Sequence, residues 1–97
     1  MKPVLWLDRA LDDLRTIGAY IAQSNLQAAY RVVSRIKGTG DSLADFPERG
    51  RPGRVARTRE LVVPDVPYIL PYQITEQDIR ILAVMHTSRK WPDTFPH

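Results

Sequence analysis

Residues 57 to 91 decide the fold: Arg57-Thr58-Arg59-Glu60-Leu61-Val62-Val63, then Pro67-Tyr68-Ile69-Leu70-Pro71-Tyr72-Gln73-Ile74, then Ile79-Arg80-Ile81-Leu82-Ala83-Val84-Met85-His86, closed by Thr87-Ser88-Arg89-Lys90-Trp91-Pro92. The three runs are rich in Val, Ile, Leu and Tyr, and turn residues separate them. Such runs predict consecutive antiparallel strands. Their connections, Pro64-Asp65-Val66-Pro67 and Thr75-Glu76-Gln77-Asp78, have the length of hairpin loops. Tyr68, Leu70, Tyr72 and Ile74 share one strand face, and Ile69, Pro71 and Gln73 the other. Ile79, Ile81, Ala83 and Met85 alternate with Arg80, Leu82, Val84 and His86. Both faces of that run are partly apolar, which places it inside a sheet. Proline cannot donate to a ladder, so a bulge or broken pairing is expected at Pro71.

Working outward, Val4 to Leu7 reads as a short first strand. Asp8 is placed as the N-cap of a helix over residues 9 to 23, its carboxylate accepting a backbone N–H. Ala10, Leu11, Leu14, Ile17 and Ile21 recur at helical spacing along that helix. Ser24-Asn25 interrupts the pattern. A second helix runs from Leu26 to Phe46 with Ala29, Val33, Ile36, Leu43 and Phe46 on one face, and Pro47 ends it. Gly38 and Gly40 fall inside it at roughly 1 kcal/mol each against alanine, which predicts a bend or a close packing partner. Residues 47 to 54 read as loop. The order is β-α-α-β-β-β: a helical hairpin packed on a mostly antiparallel sheet, an α+β fold.

Ninety-seven residues predict one domain over residues 1–97 with a single modest core. The chain has no cysteine, which excludes disulfides and thiolate metal sites. The first apolar run is too short for a signal peptide, and no stretch approaches membrane-spanning length. A cytoplasmic location is expected, with no membrane association.

Net charge is +3, and its distribution matters more than its size. Arg49, Arg51, Arg54, Arg57 and Arg59 fall in one stretch without an acid. They form a basic strip suited to phosphate or to an acidic protein surface. Strand alternation puts Arg57 and Arg59 on a shared face. Glu60 reads as an arginine partner rather than a base. Tyr68 and Tyr72 read as core, with base stacking as the alternative. Trp91-Pro92 is expected to fold the tail against the sheet. No glycine-rich phosphate loop, metal-spaced His or acid cluster, or Ser/His/Asp arrangement is evident. No cofactor or metal is expected.

The segments Ala10 to Ile17 with Tyr20-Ile21-Ala22, Leu43-Ala44-Asp45-Phe46-Pro47-Glu48-Arg49-Gly50, Arg57 to Val63, Pro67 to Tyr72 and Ile81 to Pro92 together resemble the ParE/RelE superfamily of toxins from type II toxin–antitoxin pairs. The resemblance runs over nearly the whole chain. It implies a cognate antitoxin that wraps the toxin, with operator DNA bound through that antitoxin. It also implies one of two activities. RelE-like members are ribosome-dependent endoribonucleases that cut messenger RNA without metal, and ParE-like members poison DNA gyrase. The cutting members tend to carry an arginine within the third strand, where residues 68 to 72 here have none. That favours the ParE-like branch, with gyrase as the target. The alternatives are a ribonuclease and a non-toxic co-repressor module. For a ribonuclease, His86 is the candidate proton-transfer group and Arg89 the candidate phosphate holder. On the plainer reading His86 ends a strand with one structural hydrogen bond and Arg89 pairs with an acid.

Overall fold

The computed structural model describes residues 1–95. Strand β1 (Val4–Trp6) leads into helix α1 (Asp8–Ala22), then helix α2 (Leu26–Asp41) and a 3-10 turn at Ser42–Ala44. The strands β2 (Arg51–Pro52), β3 (Arg59–Val62), β4 (Tyr68–Ile74), β5 (Ile79–Ile81) and β6 (Met85–His86) follow. The sheet runs β1-β5-β4-β3-β2, with β6 also paired to β4. All pairs are antiparallel except β1 with β5. The α+β architecture is the one expected, and β5 lies inside the sheet. The two-residue β2 lies within the stretch read as loop. It exists because Arg51 and Pro52 pair with Glu60 and Arg59.

The ladder breaks opposite Pro71, on the last run rather than on β4. Tyr72 faces Ile81, yet Ile69 faces Met85. Leu70 and Pro71 therefore oppose three residues, Leu82, Ala83 and Val84. The Pro71 carbonyl accepts from Leu82 N at 2.9 Å, and on that same side proline has no N–H to give. One extra residue inverts the side-chain parity of everything after it. Val84 thus joins Ile79 and Ile81 in the core beneath the helices, with Leu14, Ile36, Leu43, Leu70 and Tyr72. Ala83 and Met85 go instead to the opposite face with Leu82, Val55 and Phe95, where Trp91 packs as well. The tail does fold against the sheet.

Helix α1 begins one residue earlier than expected. Leu7 is extended (φ −65°, ψ 161°) and takes the cap position without a side-chain cap. Its N–H extends the ladder to the Ile81 carbonyl, and its own carbonyl accepts the first helical bond from Leu11. Asp8 is therefore the first helical residue, where the helix dipole still favours its charge. Helix α2 has a true cap: the Asn25 side chain accepts from Ala28 N at 2.9 Å. Asn25→Ala is expected to lower stability by about 1 kcal/mol, read as a lower urea midpoint at unchanged slope. An unchanged midpoint would remove the cap from the account.

α2 stops at Asp41 rather than Phe46, and Phe46 is exposed. Ser42 Oγ donates to the Thr39 carbonyl at 2.6 Å, and the chain tightens into the 3-10 turn. The glycines divide. A Cβ at Gly40 would lie 2.4 Å from the Trp6 ring and 2.7 Å from Ile81, so close packing explains it. A Cβ at Gly38 would meet nothing within 4 Å.

Candidate functional site

His86 and Arg89 are brought together at the open end of β6. They line a cleft of about 490 Å³ against α1, with Arg9, Asp13, Tyr20 and Tyr68. Ser88 N donates to His86 Nδ1 at 3.1 Å, and Ser88 Oγ lies 2.8 Å from the same atom. A backbone N–H can only donate, so the neutral ring carries its proton on Nε2. The imidazole stands edge-on to Tyr68, with centroids 5.4 Å apart. Burial pushes the Tyr68 phenol up, and the nearby Arg89 charge opposes that rise.

Arg9 and Asp13 were legible only as surface residues of α1, because Val84 and Met85, which tie them to the cleft, lie more than seventy positions away. The Asp13 carboxylate accepts Val84 N at 2.9 Å and Arg9 Nε at 3.1 Å. Arg9 also reaches Met85 Sδ at 3.6 Å. This cluster closes the bulge against the helix and leaves the Arg9 charge paired. The Arg89 side chain has no hydrogen bond or ion pair among the described residues.

The basic strip is anchored from below. Glu60 is only 2 % exposed, and three nitrogens of Arg54 and one of Arg51 bond its carboxylate at 2.7–3.2 Å. Burial alone would raise the Glu60 carboxyl. The hydrogen bonds from the Arg54 side chain and backbone, and from Arg51, outweigh it and hold the group below the ordinary carboxylate value. The Arg54 guanidinium also stacks on Trp91, 3.8 Å from the ring centroid. Arg59 donates to the carbonyls of Gly50 and Glu48 at 3.0 and 3.2 Å, and Arg49 to Ser42 Oγ at 3.1 Å. Arg57 is not on β3. It occupies a left-handed turn (φ 62°) just before the strand and is exposed, so strand alternation with Arg59 does not apply. Arg57 is the member of the strip without a hydrogen bond or ion pair among the described residues.

A helical hairpin on a sheet of this kind recurs in a solved structure. The solved structure described as the chromosomal ParDE TA system from P. aeruginosa matches with a TM-score of 0.83 over 91% of this chain and 98% of that one, at 24% identity. That likeness shows the fold. The family described as the ParE toxin of type II toxin-antitoxin system, parDE, matches residues 4–91. Among relatives, Y4kP of Sinorhizobium fredii is 52% identical over 91 residues, covering 94% of each chain. Toxin RelE2 of Caulobacter vibrioides is 43% identical over 89 residues, covering 92% of this chain and 99% of that one. The chain belongs to the ParE toxin family, and a toxin of a type II system has an antitoxin as its partner. No helix among the described residues is long and apolar enough to cross a membrane.

Proposed function

We propose that this ParE-family toxin inhibits DNA gyrase and does not cleave messenger RNA at a useful rate. The observation that carries the reading is the charge in the cleft. Metal-free cleavage moves two protons and holds the developing phosphorane charge with cations. In this cleft Arg9 is bound to Asp13, His86 accepts from Ser88 at Nδ1 and keeps only Nε2 for proton transfer, and β4 presents no cation. Arg89 alone remains as an unpaired cation. Loss of one well-placed charge donor costs on the order of 100- to 1000-fold in rate. We place the antitoxin's acidic residues on the strip around Arg57, where the unpaired and half-exposed guanidinium groups supply a complementary field.

A second reading has its own support. A relative carries the name RelE2, and His86 and Arg89 do share one cleft. Two assays on purified toxin separate the readings. Gyrase supercoiling is expected to fall with added toxin and to recover with antitoxin, and toeprinting on programmed ribosomes is expected to show no A-site cut. Robust cleavage that disappears in His86→Ala or Arg89→Ala would make the protein a ribonuclease. Normal growth on induction, with both assays negative, would leave only the co-repressor role.

A further inference from the structure

Gly38 has no structural reason to be glycine. It lies within α2, where glycine costs about 1 kcal/mol against alanine. Its φ is not positive, and a Cβ there would meet nothing within 4 Å. It sits in the floor of a shallow open groove of about 590 Å³ along the exposed side of α2. The groove's cations are Arg31 and Arg35 of the helix and Arg49 of the loop that follows it, and no acid lines it. Ser34, Thr39 and Ser42 add hydroxyls and Tyr30 a phenol. Tyr30 is 78% exposed, so its ring serves no core.

Arg31 has no hydrogen bond or ion pair among the described residues. Arg35 meets Asp65 at 3.0 Å, but both side chains are largely exposed, and such a pair contributes about 0–1 kcal/mol and is readily exchanged. From Tyr30 to Ser42 the stripe extends about 18 Å at the helical rise.

We infer that this face of α2 binds the sugar–phosphate backbone of duplex DNA, with Arg31, Arg35 and Arg49 on phosphates and Gly38 letting the strand approach the helix backbone. Every lining residue other than Gly38 is Arg, Ser, Thr or Tyr, the types that contact phosphate. A peptide partner would need apolar anchor pockets, and no Val, Leu, Ile, Met or Phe lines the groove. A single strand would need a row of stacking rings, and there is one tyrosine. The choice of a duplex rests on the gyrase reading above, since that target works on duplex DNA.

The test is fluorescence anisotropy of a short labelled duplex with the full chain, titrated across salt concentrations without gyrase. Three phosphate contacts predict a slope of log affinity against log salt of about −2.7. Arg31→Ala and Arg49→Ala should each reduce it by about 1 and weaken binding about tenfold. Arg15→Ala, which removes an exposed α1 arginine paired to Asp12, should do neither. Gly38→Ala should raise the melting temperature by about 4 °C yet weaken duplex binding about fivefold. Equal effects from Arg15→Ala would reduce the finding to general attraction and overturn the inference. So would a Gly38→Ala variant that is stabilised with full binding, or polyglutamate that binds as tightly as the duplex. The gyrase reading fails separately, in the supercoiling assay, so the two failures are distinguishable.

Discussion

Tyr72→Ala is expected to destabilise the protein by about 4 kcal/mol, the range for removing a fully buried aromatic ring. Tyr72 is 0% exposed and lies in the centre of β4 beneath the helices. Its hydroxyl donates to the Pro47 carbonyl at 2.8 Å and accepts Gly50 N at 2.9 Å. The ring edge fills the space a Cβ on Gly50 would need, at 2.6 Å. One residue therefore packs the core and pins the loop that carries Arg49 and leads into β2. Domains have only about 5–15 kcal/mol in total, the small ones least, so the variant should be near its unfolding midpoint at room temperature. Tyr72→Phe keeps the ring and removes only the hydroxyl. It strands the buried Gly50 N–H and should cost about 1–3 kcal/mol. Urea unfolding followed by circular dichroism measures both. An alanine variant within about 1 kcal/mol of wild type would contradict the burial. A phenylalanine variant as damaged as alanine would mean that the loop bonds, not the ring, dominate.

The strand runs and the helical hairpin were legible because their signals are local. Periods of two and 3.6 in Val, Ile and Leu survive any tertiary context that keeps the elements paired. Pro71 announced a break in the ladder, but not which strand would absorb it. The sequence pattern in 79–86 is regular, so the change of face at Leu82 leaves no local trace. It follows from the partner's missing N–H. The start of α1 shifted for a similar reason: Asp8 is the better cap by type, but Leu7 is held extended by a ladder bond to Ile81, which local propensity does not see.

Site legibility follows the same division. His86 and Arg89 are three positions apart, so their shared cleft was within reach of sequence reasoning. Asp13 and Arg9 join them only through contacts with Val84 and Met85. The arginine strip was visible as composition, yet its charge is distributed by one acid just outside it. Glu60 pairs with Arg51 and Arg54, Arg59 is held by carbonyls, Arg49 donates to Ser42 Oγ, and Arg57 is left without a hydrogen bond or ion pair among the described residues. The strip is thus a scaffold for the 47–60 segment as much as a field for a partner. The more open cationic face lies on α2, where Arg31 and Arg35 are separated by one helical turn and read in sequence only as solvated helix.

Glu60→Ala is the test of that scaffold, with an expected cost of about 2–3 kcal/mol at neutral pH. Removing one partner of a buried ion pair commonly costs about 3–5 kcal/mol, but here Arg51 and Arg54 are half exposed, and water can take up their charge. What cannot be recovered as easily is the Arg54 N–H, which donates to Glu60 at 2.7 Å, and the hold on the guanidinium that stacks on Trp91. The tail packing should loosen, seen as increased Trp fluorescence quenching by acrylamide. The pH dependence has a definite sign. The folded carboxyl lies below the ordinary carboxylate value, so the unfolded chain binds the proton more readily. Its stabilisation is complete above about pH 4.5 and is lost as pH falls through the folded value. Asp78, also held low by Thr75 and Arg80, acts in the same direction, so acid lability of the wild type does not isolate Glu60. The difference between wild type and Glu60→Gln does, because Asp78 cancels. That difference in urea midpoint should be widest at pH 7 and shrink steadily below the ordinary carboxylate range. A difference that stays constant down to the acid limit would show that the Glu60 charge contributes nothing and that only its shape and hydrogen bonds hold the arginines in place.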